Sequence, residues 1–528
     1  MFSHNFKSSL HDLFRYTIEF YQNHVVSDSI LCIRIIPIDH SVNISLQNEK
    51  GINMRIVKST LSVSPIIFFG AILISSAYCT VKASGVNHPY TETKQQRDIR
   101  MQWWREARFG MFVHWGLYSG LAGTWKGKPV GERGGMEWIQ QRVGVDTWEY
   151  AHEAVPQFRP KEGFAREWAK LARQAGCRYV VFTTKHHEGF CLFNSQYTNY
   201  DAYDLVGRDL CREIVDAVRG EGLKVGFYHS VIDWHHPQYD YFKADQLPYP
   251  LRGKLSPNGP RNHDIYVDYL HHQARELFSN YCPVDIIWWD YSKKGNEGPF
   301  WRADELMAMA RRLQPEIISN NRLYHIPNIE RDDSVDRLRK WKPEQGDFTT
   351  PEQTIPSTGI PGVDWEVCMT MNTTWGYSEH DHAWKSPETL IHNLVDIVSK
   401  GGNYLLNIGP KGDGSIPQES IDSMQAIGRW MDTNGEAIYG TTASPFEQPG
   451  WGRFTKKAGK IYAHVFQWPK DGILQVAAGS LNVTRSYLLV DSDKTSLKIE
   501  KRPDALLIHV PQQAPDEIAS VVSIEHQE

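Results

Sequence analysis

A chain of 528 residues, 41% hydrophobic and 23% charged, has the composition of a soluble globular protein with room for one large domain and an appendage. Its net charge of −5 offers no basic face for phosphates and argues against nucleic acid as a partner. The seven cysteines are scattered without C-x-x-C or zinc-finger spacing, which excludes a disulfide framework and a metal finger and leaves buried thiols with at most one incidental disulfide.

Residues 1–53 carry no periodic pattern. Met54-Arg55-Ile56-Val57-Lys58 then leads into an apolar run from Leu61 to Ala77, with small residues through Ala83-Ser84-Gly85. A basic start, an apolar centre and a small-residue tail make 54–85 a secretory signal peptide, so the expected location is secreted or periplasmic. Its distance from Met1 places the expected start of translation at Met54 and makes residues 1–53 a non-native or unstructured extension. A membrane anchor is the alternative, since the run approaches the roughly 20 residues that a span needs. Pro65 and the small-residue tail favour cleavage.

From Thr91 the pattern alternates. Helices are predicted over Thr91–Ala107, Phe164–Ala175, Asp209–Gly222, His263–Tyr281, Ala303–Leu313, Pro387–Lys400 and Gln418–Thr433. Strands are predicted over Phe109–Gly116, Tyr179–His187, Lys224–Ser230, Val284–Asp290, Ile317–Asn320, within Asp364–Asn372, and over Asn403–Pro410. Strand–helix alternation over residues 91–440 predicts an α/β fold with a parallel sheet closed as a (β/α)8-like, TIM-type barrel, one strand of the eight being missing or irregular. A doubly wound open sheet is less apt, because no Gly-rich phosphate loop follows the first strand. After residue 441 the pattern becomes short strands over Lys460–Phe466, Ile473–Val476, Ser486–Val490 and Ala505–Val510. Residues 441–528 are therefore expected to form a C-terminal antiparallel β-sandwich that braces the barrel rather than binding carbohydrate.

Active residues of β/α barrels lie at the C-terminal ends of strands. Val284-Asp285-Ile286-Ile287-Trp288-Trp289-Asp290 ends in two indoles and a carboxylate. Indole faces stack on the apolar face of a pyranose, and a carboxylate there can attack an anomeric carbon; the plain alternative is that Asp290 caps a loop or pairs with a base. His186-His187 and His114 also sit at strand ends, where neutral imidazoles can hydrogen-bond hydroxyls. No HExxH motif supports a metal site. Retaining glycosidases need a second carboxyl about 5–5.5 Å from the first, protonated at the outset to act as acid and later serving as base. Glu352, in Phe348-Thr349-Thr350-Pro351-Glu352-Gln353 on the long segment between Asn320 and Asp364, is one candidate, on a loop that could close over the site. Glu366 is the other, unless it is a buried structural carboxylate.

Several segments together resemble glycoside hydrolase family 29, the α-L-fucosidases. They are Trp103–Gly120 (WWREARFGMFVHWGLYSG), Gly135-Met136-Glu137-Trp138, Lys185-His186-His187-Glu188-Gly189-Phe190, Gly226-Phe227-Tyr228-His229-Ser230, Trp288-Trp289-Asp290, Trp365-Glu366-Val367-Cys368, Trp375-Gly376-Tyr377 and Gly401–Pro410 (GGNYLLNIGP). The resemblance implies a retaining exo-α-L-fucosidase with no metal or other cofactor. It places the nucleophile on Asp290 and the acid/base on Glu352, with Glu366 in reserve. It puts fucose binding on His114, Glu137, Trp138, His186 and His187, with Trp288, Trp375 and Tyr228 or His229 completing the wall. Tyr291 departs from the pattern, since many relatives have glycine after the nucleophile. The implied partner is a fucosylated oligosaccharide or polysaccharide, without nucleic acid or a stable membrane partner; a homo-oligomer is compatible with the sequence. The rival readings are a non-catalytic fucose-binding protein and a metal-dependent barrel hydrolase.

Overall fold

The computed structural model describes residues 92–130, 135–239, 261–292, 295–324, 345–477 and 481–527. The expected extension 1–53 and signal peptide 54–85 lie outside the described residues, as do Cys32 and Cys79.

Helix α1 (Lys94–Ala107) opens on a capping box, with the Thr93 side chain accepting from the Gln96 backbone N–H and the Gln96 side chain accepting from the Thr93 N–H. Seven parallel strands follow: β1 (Phe109–Val113), β2 (Tyr179–Lys185), β3 (Lys224–Ser230), β4 (Ile286–Asp290), β5 (Ile318–Ser319), β6 (Glu366–Thr370) and β7 (Asn403–Ile408). Their spatial order is β5-β4-β3-β2-β1-β7-β6, so β1 lies between the second strand and the last. The longer helices that separate or follow them are α2 (Phe164–Gln174), α3 (Leu210–Gly220), α4 (His263–Asn280), α5 (Ala303–Leu313), α6 (Pro387–Ser399) and α7 (Gln418–Asn434). Each is within three residues of its expected bounds at either end.

The ring closes through residues 347–353. The Asp347 N–H donates to the Ser319 carbonyl, Asn320 bridges Phe348, and Thr349 and Glu352 bridge Trp365 and Cys368. The eighth stave is therefore a run of single bridges rather than a strand. Pro351 has no N–H to give to a ladder, which accounts for the broken register. The loop expected to carry Glu352 over the site is tied to the strand beside it: Glu352 bridges Cys368, and Gln353 donates its backbone N–H to the Cys368 carbonyl at 3.0 Å. Asp347 anchors the stave at its base, bonding Arg100 of α1, Arg311 of α5 and the Ser319 N–H. Burial alone would raise its pKa, but Arg311 and Arg100 hold the carboxyl below the usual range.

Strand side chains alternate between two faces. Phe112, Tyr179, Val181, Tyr228, Ile286, Trp288, Phe348 and Leu405 fill the barrel interior, which Met101 and Trp104 of α1 plug from below. Met111, Val180, Phe227, Ile287, Trp289 and Leu406 face the helices.

The C-terminal region holds two antiparallel sheets. Its strands are β8 (Gly452–Lys457), β9 (Lys460–Val465), β10 (Ile473–Val476), β11 (Asn482–Leu488), β12 (Ile499–Lys501), β13 (Leu506–His509) and β14 (Ser520–Gln527). They pair as β8-β9-β14-β11 and β10-β13-β12 around one apolar cluster that includes Phe454, Leu474, Ile508 and Val522. Three of these strands, β8, β12 and β14, were not among the expected ones. The Trp430 Nε1–H of α7 donates to the Ala519 carbonyl at 2.9 Å, and Arg453 pairs with Asp396 of α6, so the sheets are bonded to the barrel helices. The five described cysteines are all free, and four are buried.

Candidate active site

A cavity of about 220 Å³ opens at the C-terminal ends of the barrel strands. Asp290, the last residue of β4, shares a face with Ile286 and Trp288 and so points inward. Its Oδ2 accepts from the Tyr228 hydroxyl of β3 at 2.6 Å, and the His187 Nε2 stands 3.9 Å away. Trp288 and Trp375 line the cavity as well, the latter packing on His114 with ring centres 4.9 Å apart.

Two of the three histidines are held from behind by hydrogen bonds. His114 Nδ1 lies 2.7 Å from the Asn407 Oδ1 of β7, and Asn407 is itself fixed by donating Nδ2–H to the Trp375 carbonyl. His187 Nδ1 lies 2.7 Å from the Ser230 hydroxyl. His186 stacks on Tyr228 with ring centres 5.5 Å apart. Burial disfavours the charged forms of two of them, pushing His114 down to about 4 and His186 well below the usual imidazole range. Those two rings are neutral hydrogen-bonding groups across the physiological range. Glu137 is buried too, and its carboxyl is pushed up to about 7 by desolvation even though the Gly376 N–H donates to it at 3.2 Å. Trp138 packs edge-on to His187 at 5.0 Å.

Arg322 was not anticipated from the sequence. It lies three residues past β5, where the strand-end rule that found Asp290 applies equally. Its Nη1–H donates to Asp290 Oδ1 at 2.8 Å and its Nη2–H to Glu352 Oε2 at 2.8 Å, while Nε–H donates to the Thr350 hydroxyl at 2.7 Å. The guanidinium also lies 4.4 Å from the Trp288 ring centre. One cation thus spans two carboxylates that are 62 residues apart in sequence. The Glu352 side chain is 42% exposed and that of Asp290 13%, so Glu352 is at the mouth and Asp290 on the floor.

Both carboxylates precede a non-glycine residue in the left-handed region: Tyr291 at φ 80° and Gln353 at φ 56°. Such backbone costs about 1–2 kcal/mol per residue and persists only where neighbours hold it. Tyr291 packs on His187 and Trp138, with ring centres 4.8 and 5.2 Å away. Gln353 clasps Thr370 of β6 through both ends of its amide. Glycine adopts such a turn freely; after Asp290 a tyrosine adopts it, held by its ring packing.

Two expected site residues do not reach the cavity. His229 follows Tyr228, and strand alternation sends it outward, where its ring meets Trp289 and Phe193 and its Nδ1 lies 2.9 Å from the Thr184 hydroxyl. Glu366 lies beneath the cavity floor. It accepts from the Tyr179 hydroxyl and from Trp288 Nε1–H, and burial raises its carboxyl to about 7. Among the described residues, no group of three or more His, Cys, Asp or Glu side chains is arranged to hold a metal ion.

A family model described as Alpha-L-fucosidase matches residues 76–436. The α-L-fucosidase of Dictyostelium discoideum is 28% identical over 453 residues, covering 80% of this chain and 91% of its own. The tissue α-L-fucosidase of Mus musculus is 30% identical over 460 residues, covering 81% and 91%. Among solved structures, α-L-fucosidase isoenzyme 1 from Paenibacillus thiaminolyticus superposes with a TM-score of 0.72 at 38% identity, covering 82% of this chain and all of that one. A family 29 α-L-fucosidase from Bacteroides thetaiotaomicron, trapped as a covalent intermediate with 2-fluoro-fucosyl fluoride, gives 0.70 at 30% identity, covering 85% and 99%. A strand-end carboxylate in a pocket of neutral imidazoles and indoles, on a barrel shared with these enzymes, leads to one conclusion: the chain belongs to the α-L-fucosidases of glycoside hydrolase family 29.

Proposed function

We propose that the chain is a retaining exo-α-L-fucosidase in which Asp290 is the nucleophile and Glu352 the acid/base. The observation that carries the assignment is the Arg322 guanidinium bonded to both carboxylates in a cavity of about 220 Å³, a volume suited to one monosaccharide. Asp290 attacks the anomeric carbon as the glycosidic bond breaks, and Glu352 gives its proton to the departing oxygen. Glu352 then takes a proton from water, the hydroxyl attacks the same carbon, and Asp290 leaves as a carboxylate. In the free enzyme, with Glu352 protonated, Arg322 offsets the negative charge of Asp290. While Asp290 is an ester it carries none, and the cation is left to Glu352 at the step where Glu352 must be a base.

In this reading His114, His186, His187 and Glu137 bond the sugar hydroxyls, while Trp138, Trp288 and Trp375 pack on its apolar surface. Glu366 is structural, because its oxygens are engaged beneath the floor. The substrate is a fucosylated oligosaccharide or polysaccharide, and the protein acts outside the cytoplasm after removal of a signal peptide spanning 54–85. No helix of the described residues is long and apolar enough to cross a membrane.

The test is chemical rescue. Asp290→Gly should lose at least about 10³-fold in kcat, and azide should restore turnover of an aryl fucoside as fucosyl azide. Glu352→Ala should be slow on natural leaving groups and much less impaired on an activated aryl fucoside. If Glu366→Ala gives that second pattern instead, the acid/base assignment is wrong.

A further inference from the structure

Behind the imidazole wall sits a carboxyl that the reaction scheme does not use. Glu188, three residues past β2, is 1% exposed, and neither of its oxygens makes a hydrogen bond of good geometry, although the Leu117 and Glu188 backbone N–H groups stand close by. Its Oε2 lies 3.7 Å from His186 Nδ1, which is likewise buried and without a partner. Gly116 makes room for it: a Cβ at that position would stand 2.8 Å from Glu188 Oε1. Two unpartnered polar atoms facing one another across a buried gap are an unfavourable arrangement unless they bond. A small rotation of either side chain closes 3.7 Å to hydrogen-bond range.

The other two histidines supply the contrast. The Ser230 hydroxyl proton is committed to the Ile232 carbonyl at 2.8 Å, so Ser230 accepts from His187 Nδ1–H. Asn407 donates Nδ2–H to Trp375, so its Oδ1 accepts from His114 Nδ1–H. Both rings therefore carry their proton at the back, and their Nε2 atoms are acceptors on the cavity side.

We propose that Glu188 is a positioning residue whose protonated carboxyl donates to His186 Nδ1, so that His186, unlike His114 and His187, presents Nε2–H to the sugar as a donor. The inference rests on the fucosidase reading only for the identity of the sugar. Its surroundings favour a neutral acid. Burial pushes the Glu188 carboxyl well up, and the charges of Glu137 and Asp233 push the same way. The Tyr118, Tyr150 and Tyr200 hydroxyls nearby are buried without partners and carry no positive charge. Against this, the Leu117 and Glu188 backbone N–H groups favour the ionised form, and desolvation outweighs them. A site with two acceptors and one donor along one wall discriminates among sugar hydroxyls by the direction of each bond.

Neutron diffraction from crystals of the deuterated enzyme reads the proton directly. The expected density is a deuteron on the Glu188 oxygen facing His186 and another on His186 Nε2. A deuteron on His186 Nδ1 with a bare Glu188 overturns the proposal, whether or not the protein hydrolyses fucosides. Kinetics give a second arm. Glu188→Gln keeps a donor and should lose less than about threefold in kcat/KM, while Glu188→Leu should raise KM roughly ten- to hundredfold with a smaller change in kcat. Equal losses for the two variants overturn it too.

Discussion

The barrel has a regular arc and an irregular one, and they do different work. From β7 through β1 to β4 the strands pair in parallel, with one register shift between Thr183 and Lys185, and outside that shift side-chain direction follows from position parity. That arc fixes Asp290, Tyr228 and His114. Between β4 and β5 the ladder is two residues long, and from β5 to β6 it is reduced to single bridges. That arc supplies Glu352 at the mouth and the buried Arg322 that ties it to Asp290. In the proposed reaction a fixed floor suits a nucleophile that must stay in line with the anomeric carbon. A less regular mouth admits aglycones of varied shape while a few side-chain bonds keep the second carboxyl in place.

If the irregular arc is held by side chains rather than by a ladder, removing them should be costly. Arg322→Met should cost the most, roughly a hundredfold or more in kcat/KM with the fold intact, since two carboxylates then face one another without a cation; steady-state kinetics with circular dichroism check this. Gln353→Ala should come next, with about a tenfold loss on natural leaving groups and little on an activated aryl fucoside. Equal loss on both would show that the clasp on Thr370 serves the floor rather than Glu352.

On the regular arc the prediction concerns stability. Glu366→Leu leaves the Tyr179 hydroxyl and Trp288 N–H unpaired and should cost about 2–4 kcal/mol in denaturant unfolding, while Glu366→Gln should cost under about 1 kcal/mol. The pH dependence follows from the raised carboxyl. Folded Glu366 keeps its proton up to about 7, whereas the unfolded chain releases it near 4.5. The folded state therefore binds more protons between those values, and stability falls as pH rises through that window. Glu137, raised likewise to about 7, adds a slope of the same sign, so Glu366→Gln should flatten the thermal-shift profile only in part. The smallest effect is expected at Tyr291→Gly. Relief of the left-handed backbone, about 1 kcal/mol, should nearly offset the lost ring packing, leaving a small shift in melting temperature and a severalfold rise in KM.

Much of the site was legible because it rests on local rules. Strand ends carry the chemistry, and alternation sends Trp288 and Asp290 inward. The same alternation would have sent His229 outward had it been applied to Tyr228-His229 as it was to Trp288-Trp289. Glu366 is the first residue of a strand, where barrel chemistry does not sit, and that position already marked it as structural. In the C-terminal sheets, the strand over Gly452–Lys457 was obscured by Lys456 and Lys457, whose polar side chains interrupt an apolar pattern.

Composition, periodicity and motif order were enough to determine a secretory-type leader expectation, a parallel barrel with a β appendage, and a strand-end aspartate among imidazoles and indoles. Only the tertiary structure decided how the ring closes and what joins the two carboxylates. Pro351 breaks the ladder, so no period marks residues 347–353 as the eighth stave. Arg322 meets Asp290 and Glu352 only after that stave has docked between β5 and β6. A cation's partners across such a closure depend on which chain segments become neighbours, and sequence spacing carries no record of that.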